Sequence, residues 1–129
     1  MKALVGLLLF TLAAVSIAAD KKPKSSDVEV LEASAHRGET LISIDGRIRN
    51  SGDRTLKKLT LLFHFMAPGK QVVTTQKSSL DEELLDRGQE VSFHVELNAP
   101  PRSVQIEIGA VEGNGRELRV NKAGPFSID

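Results

Sequence analysis

Residues 46–65 read GRIRNSGDRTLKKLTLLFHF, and the parsing of this stretch decides the fold. Before its centre, Gly46 and Ile48 alternate with Arg47 and Arg49; after it, Leu59, Leu61, Phe63 and Phe65 alternate with Thr60, Leu62 and His64. A period of two puts successive side chains on opposite faces of a β-strand. Asn50, Ser51, Gly52 and Asp53 lie between the two runs. Such residues tolerate left-handed backbone or bond their own main chain, so the segment is a turn. The reading is strand, turn, strand over 41–50 and 59–66, with Ile42, Ile44, Gly46 and Ile48 on one face of the first. Asn50 is expected to serve the turn, and Gly46 a bulge or a packing position.

The alternation continues outward in both directions. A strand over 28–35 precedes the turn His36–Thr40. Pro68 and Gly69 occupy the central positions of a type II turn, and a further strand begins at Val72 and Val73. Val91, Phe93, Val95 and Leu97 alternate with Ser92, His94 and Glu96, and Val104, Ile106 and Ile108 alternate with Gln105 and Glu107. Asn114-Gly115 signals a hairpin leading to a last strand near Leu118 and Val120. Residues 78–90, SSLDEELLDRGQE, are read as one turn of helix capped by Ser79 and Glu82, or as an irregular crossover, giving Leu80, Leu84 and Leu85 to the core. About seven strands punctuated by turns predict an all-β, antiparallel two-sheet sandwich.

The chain opens MKALVGLLLFTLAAVSIAAD: one lysine, an apolar or small-residue run over 3–19, then the first acidic residue. This order predicts a secretory signal peptide, cleaved between Ala19 and Asp20 or one residue earlier. The alternative is an uncleaved anchor, since the run approaches the length of a membrane span. Residues 20–27 form a flexible basic leader and 28–129 the domain. Cleavage leaves 110 residues, enough for one core. They hold 16 basic and 17 acidic residues, a balance that steers the whole protein toward neither nucleic acid nor anionic lipid. The expected location is secreted or periplasmic, with no stable membrane span after cleavage. The sequence has no cysteine, which excludes disulfides, thiol catalysis and a lipid-modified N-terminal cysteine.

Residues 46–73 followed by LLDRGQEVSFHVEL at 84–97 resemble the FxLYD family of extracellular immunoglobulin-like domains. The matching positions are Gly46, Ile48 and Asn50, then Gly69, Val72 and Val73, then Leu85, Gly88, Gln89 and Phe93. Where the family has Phe-x-Leu-Tyr-Asp, this chain has Phe63, His64, Phe65, Met66 and Ala67. The resemblance implies an immunoglobulin/fibronectin III-like antiparallel β-sandwich outside the cytoplasm, without catalytic residues to carry over.

The chemistry-bearing residues form no enzymatic motif. The sequence has no Gly-x-Ser-x-Gly, no His-Glu-x-x-His and no phosphate-binding glycine loop. The expectation is a non-catalytic interaction or structural module of the cell envelope, without a cofactor. Two surfaces are candidates for contact. Arg47 and Arg49, with Arg54, Lys57 and Lys58, make a basic face suited to an anionic envelope component; nucleic acid is not expected, because no exposed aromatics lie between the charges. Leu62, His64 and Met66 lie opposite the inward residues of their strand, and their exposure would suit another protein or a second copy. His64 and Met66 also suggest the alternative of a periplasmic protein binding a small ligand or a copper-type metal.

Overall fold

The computed structural model describes residues 26–129. The expected signal peptide, its Ala19–Asp20 cleavage point and residues 20–25 of the leader lie outside the described residues. In chain order the strands are β1 (Val28–Arg37), β2 (Leu41–Asn50), β3 (Leu56–Lys57), β4 (Thr60–Ala67), β5 (Gln71–Ser79), β6 (Leu84–Leu85), β7 (Glu90–Asn98), β8 (Gln105–Val111), β9 (Val120–Asn121) and β10 (Phe126–Ser127). The described residues contain no helix.

Two four-stranded sheets, ordered β7-β2-β1-β9 and β10-β8-β4-β5, form the sandwich, and β3 pairs with β6 in a small separate ladder. The inner faces are the alternating apolar residues of the sequence. Val28, Val30, Ile42, Ile44 and Ile48 from one sheet meet Leu61, Phe63, Phe65, Ile106 and Ile108 from the other. Phe63 and Phe93 cross between the sheets with centroids 6.0 Å apart and planes tilted by 48°, a geometry that aromatic pairs favour.

Gly46 stands opposite Phe93 in the β2–β7 register. A Cβ there would lie 2.6 Å from the Phe93 ring and 2.7 Å from the Glu32 carbonyl oxygen. Its glycine is therefore a packing requirement: the neighbouring ring occupies the space a side chain would need. Asn50 is buried at the end of β2 and spends its whole side chain on the scaffold. Nδ2 donates to the Arg54 and Leu85 carbonyls, both at 2.8 Å, and Oδ1 accepts from the Gly52 N–H at 3.0 Å. The turn before β5 closes as read, with Lys70 N–H donating to the Ala67 carbonyl and Gly69 at φ +86°.

Three features differ from the sequence reading. Residues 78–90 contain no helical turn; β5 runs through Ser79, and Leu84–Leu85 pairs with Leu56–Lys57. Consecutive strand residues face opposite sides, so Leu85 is buried whereas Leu84, expected in the core, is 52% exposed. Val104, also expected inside, precedes the start of β8 and is exposed. The Asn114-Gly115 turn forms, with Gly115 N–H donating to the Glu112 carbonyl at 2.8 Å. The chain beyond it then crosses the sandwich: β9 runs parallel to β1, and β10 returns to pair with β8. The C-terminal segment thereby stitches both sheets together on one side.

Candidate interaction surface

The outer face of the β7-β2-β1-β9 sheet carries Arg47 and Arg49 side by side on β2. Cross-strand register supplies each with carboxylates. Arg47 reaches Glu32 at 3.0 Å and Glu90 at 2.6 Å, and Arg49 pairs with Glu29, whose second oxygen lies 3.0 Å from Lys122 Nζ. Hydrogen bonds from Lys122 and Arg49 hold the Glu29 carboxyl below the usual carboxylate range. Arg54 is bonded to Glu112 at 2.6 Å. Arg47, Arg49 and Arg54 of the basic face read from the sequence are thus each paired with a carboxylate, and the exposed pairs of Arg47 with Glu32 and Glu90 add little stability.

On the same face, His94 Nδ1 lies 2.6 Å from Asp45 Oδ1, and its Nε2 lies 3.5 Å from Glu96 Oε2. The hydrogen bond and charge of Asp45, followed by those of Glu96, raise the imidazole above its ordinary value of 6.5. A hydrolytic His–Asp dyad needs a hydroxyl at the second nitrogen; here a carboxylate stands there. The two carboxylates approach opposite edges of the ring and so do not converge on one ion. Among the described residues, no three His, Cys, Asp or Glu side chains are grouped to hold a metal.

The His94 ion pair should strengthen the fold below about pH 6.5 and lose that contribution as pH rises through the higher folded midpoint. In an NMR titration the His94 ring resonances are expected to shift with a midpoint above 6.5. Asp45→Asn should lower that midpoint; an unchanged midpoint would show that Asp45 does not hold the charge.

Leu62, His64 and Met66 belong to the other sheet, so the sandwich separates them from Arg47 and Arg49. Leu62 and His64 face outward and are half-buried. His64 Nδ1 is 2.8 Å from Thr75 Oγ1, and the ring lies over Gly109, where a Cβ would stand 3.2 Å from Nε2. Met66 is only 4% exposed. The β4–β5 register slips at Val73 on β5, while β4 keeps its alternation against β8 through Met66 and Gln105, so Met66 lies on the side of Leu62 and His64 and is covered there. The continuous exposed patch Leu62, His64, Met66 therefore does not exist, and the His64–Met66 pair is not displayed as a surface metal site.

The exposed apolar surface lies elsewhere. Val72 (54%), Val73 (43%), Val104 (41%) and Leu41 (38%) collect at one end of the sandwich. Val72 stands opposite Met66, whose carbonyl accepts from Val104 N–H, and Leu41 stands opposite Asn98. β5 is the outermost strand of its sheet and pairs only with β4. Gln76 Nε2 donates to the Asn98 carbonyl at 3.0 Å, tying the β7–β8 loop to β5. A groove lined by Val73, Gln76, Asn98, Ala99, Pro100 and Pro101 runs between them.

Natural sheet edges are protected from pairing with other chains by charges, proline or bulges. β7, the corresponding edge of the other sheet, alternates Glu90, Ser92, His94 and Glu96 on its outer face. β5 reads QVVTTQKSS, with one charge, Lys77, and no proline. Its register slip leaves Val73 without an opposite residue, but Thr74 to Ser79 run regularly against β4. The sequence held one signal for this surface: Val72 and Val73 are adjacent, and a regular strand cannot turn both inward.

No family model and no curated protein matches the chain. Among solved structures, it is similar to the C-terminal domain of Wzt, with a TM-score of 0.54 and 9% identity, covering 84% of this chain and 80% of that one. It is also similar to IrmA from Escherichia coli, with a TM-score of 0.50 and 15% identity, covering 82% of this chain and 99% of that one. At these identities the likeness is one of fold, a β-sandwich.

Proposed function

We propose that this protein is an exported, non-catalytic interaction module of the cell envelope that binds another protein by receiving a strand along β5. The observation that carries the reading is the gathering of exposed Val72, Val73, Val104 and Leu41 beside an open sheet edge. An added strand would gain main-chain hydrogen bonds from β5, while its alternate side chains would enter the groove against Pro100 and Pro101. The charged amino-terminal start with its long apolar run supports export, and the resemblance to FxLYD domains supports a non-catalytic module outside the cytoplasm. The polar residues near the ends of β2 also fit this role, because the scaffold consumes their hydrogen bonds and charges.

Val72→Lys combined with Val73→Lys separates binding from folding. Both side chains are exposed, so the unfolding free energy should change by about 0.5 kcal/mol or less. Binding to a partner purified from the envelope should be lost in a titration. Unchanged affinity in the double variant would contradict strand addition at this edge.

A further inference from the structure

We infer that the segment received by β5 is acidic: an extended stretch of another protein in which apolar side chains alternate with aspartate or glutamate. This rests on the strand-addition reading and adds the chemistry of the partner. Residues 66–79 and 97–106, which build the edge and its groove, contain no Asp or Glu. They do contain three cations. Lys70 sits in the turn before β5, Lys77 lies on the strand, and Arg102 lines the groove with Val73. Lys70 precedes Val72 by two residues, Arg102 shares the groove with Val73, and Lys77 lies four residues further along β5.

Arg47, Arg49, Arg54, Arg116 and Lys122 each meet a carboxylate of this chain. Lys70, Lys77 and Arg102 form no ion pair among the described residues, as is also true of Lys57, Lys58 and Arg87 away from this edge; what marks the three is that they lie on an edge without a carboxylate of its own. An apolar edge that carries unpaired cations along its length is complementary to an extended segment that brings carboxylates with its apolar side chains, and opposite charges across paired strands add to the pairing. A second copy of this chain fits poorly. Two β5 strands laid together would gather six such cations without a carboxylate, and like charges across a strand pair repel.

The test uses the ¹⁵N-labelled protein and three capped nine-residue peptides, with valine at alternate positions and glutamate, serine or lysine between. The glutamate peptide is expected to shift the amide resonances of Gln71–Ser79. It should bind at least tenfold more tightly than the serine peptide at low salt, by an advantage that shrinks as salt screens the charges. Lys77→Glu combined with Arg102→Glu should transfer the preference to the lysine peptide. Equal binding of the glutamate and serine peptides at β5 would overturn the acidic partner and leave strand addition standing. No β5 shift with any peptide would overturn both. A dimer that forms without peptide and shifts the β5 amides would overturn it in favour of a second copy.

Discussion

Asn50→Ala is expected to lower the unfolding free energy by about 4 kcal/mol, a large share of what a domain of this size possesses. The side chain ties the end of β2 to the following loop through Arg54 and Gly52, and to β6 through Leu85. The backbone around it is bonded as well: Asn50 N–H donates to the Gln89 carbonyl, and the Asn50 carbonyl accepts from Gly88 N–H. Alanine would leave two carbonyls and one N–H without their side-chain partner, the Leu85 carbonyl in a buried position and the other two groups part-buried. Asn50→Asp keeps the shape and the acceptor for Gly52, but it turns an oxygen toward two carbonyls that need donors. It should therefore destabilise about as much as alanine, which separates lost hydrogen bonding from lost volume. Urea unfolding with an unchanged slope is the measurement. A loss below about 1 kcal/mol in both variants would remove Asn50 from its place as the tie between β2 and β6.

Glu112→Gln is the second large effect, expected at about 2 kcal/mol and dependent on pH. The Glu112 side chain is 5% exposed, while its partners Arg54 and Arg116 reach solvent. Arg54 approaches one carboxylate oxygen at 2.6 Å and Arg116 the same oxygen at 3.2 Å; the Lys57 amide donates to the other at 3.0 Å. Burial pushes this carboxyl up, but the hydrogen bonds from Arg54 and the Lys57 amide outweigh it and hold the group below its ordinary value of 4.5. A lowered folded value means that the stabilisation is complete above about pH 4.5 and is lost as pH falls through the folded midpoint. The gap between wild type and Glu112→Gln should accordingly be widest near neutrality and close in acid. A gap independent of pH would mean that the carboxylate charge does not hold this end of the sandwich together.

The strands that make the sandwich were legible because alternation and turn chemistry agreed. β2 is the plainest case, ending at Asn50 where the turn residues begin, and the inward sets of β2 and β4 match the buried residues. β3 and β6 were not legible, since two-residue strands carry no period. Leu84 and Leu85 illustrate the cost of that silence: an adjacent pair read as core is split across a strand, with one buried and one exposed. Met66 does alternate with the inward residues of β4, as its reading as exposed requires, but alternation does not report what covers an outward side chain, and Met66 is buried.

The basic face shows a different limit. Arg47 and Arg49 are neutralised by Glu29, Glu32 and Glu90, which come from β1 and β7. Their meeting depends on register, and composition around the turn at residues 50–53 does not contain it. The same register leaves β5 open and gathers four exposed apolar residues from separate stretches at one end of the molecule. This concentration of apolar surface beside unpaired main-chain groups is the observation on which the proposed strand addition at β5 rests.

Hydrogen–deuterium exchange on the protein alone and in complex with its purified partner tests the binding edge most directly. Strand addition predicts slowed exchange across Gln71–Ser79, where amides directed away from β4 acquire partners, with exchange around Arg47, Arg49, Leu62 and His64 unchanged. Protection centred on either of those sheet faces, with the β5 amides exchanging as in the protein alone, would contradict it.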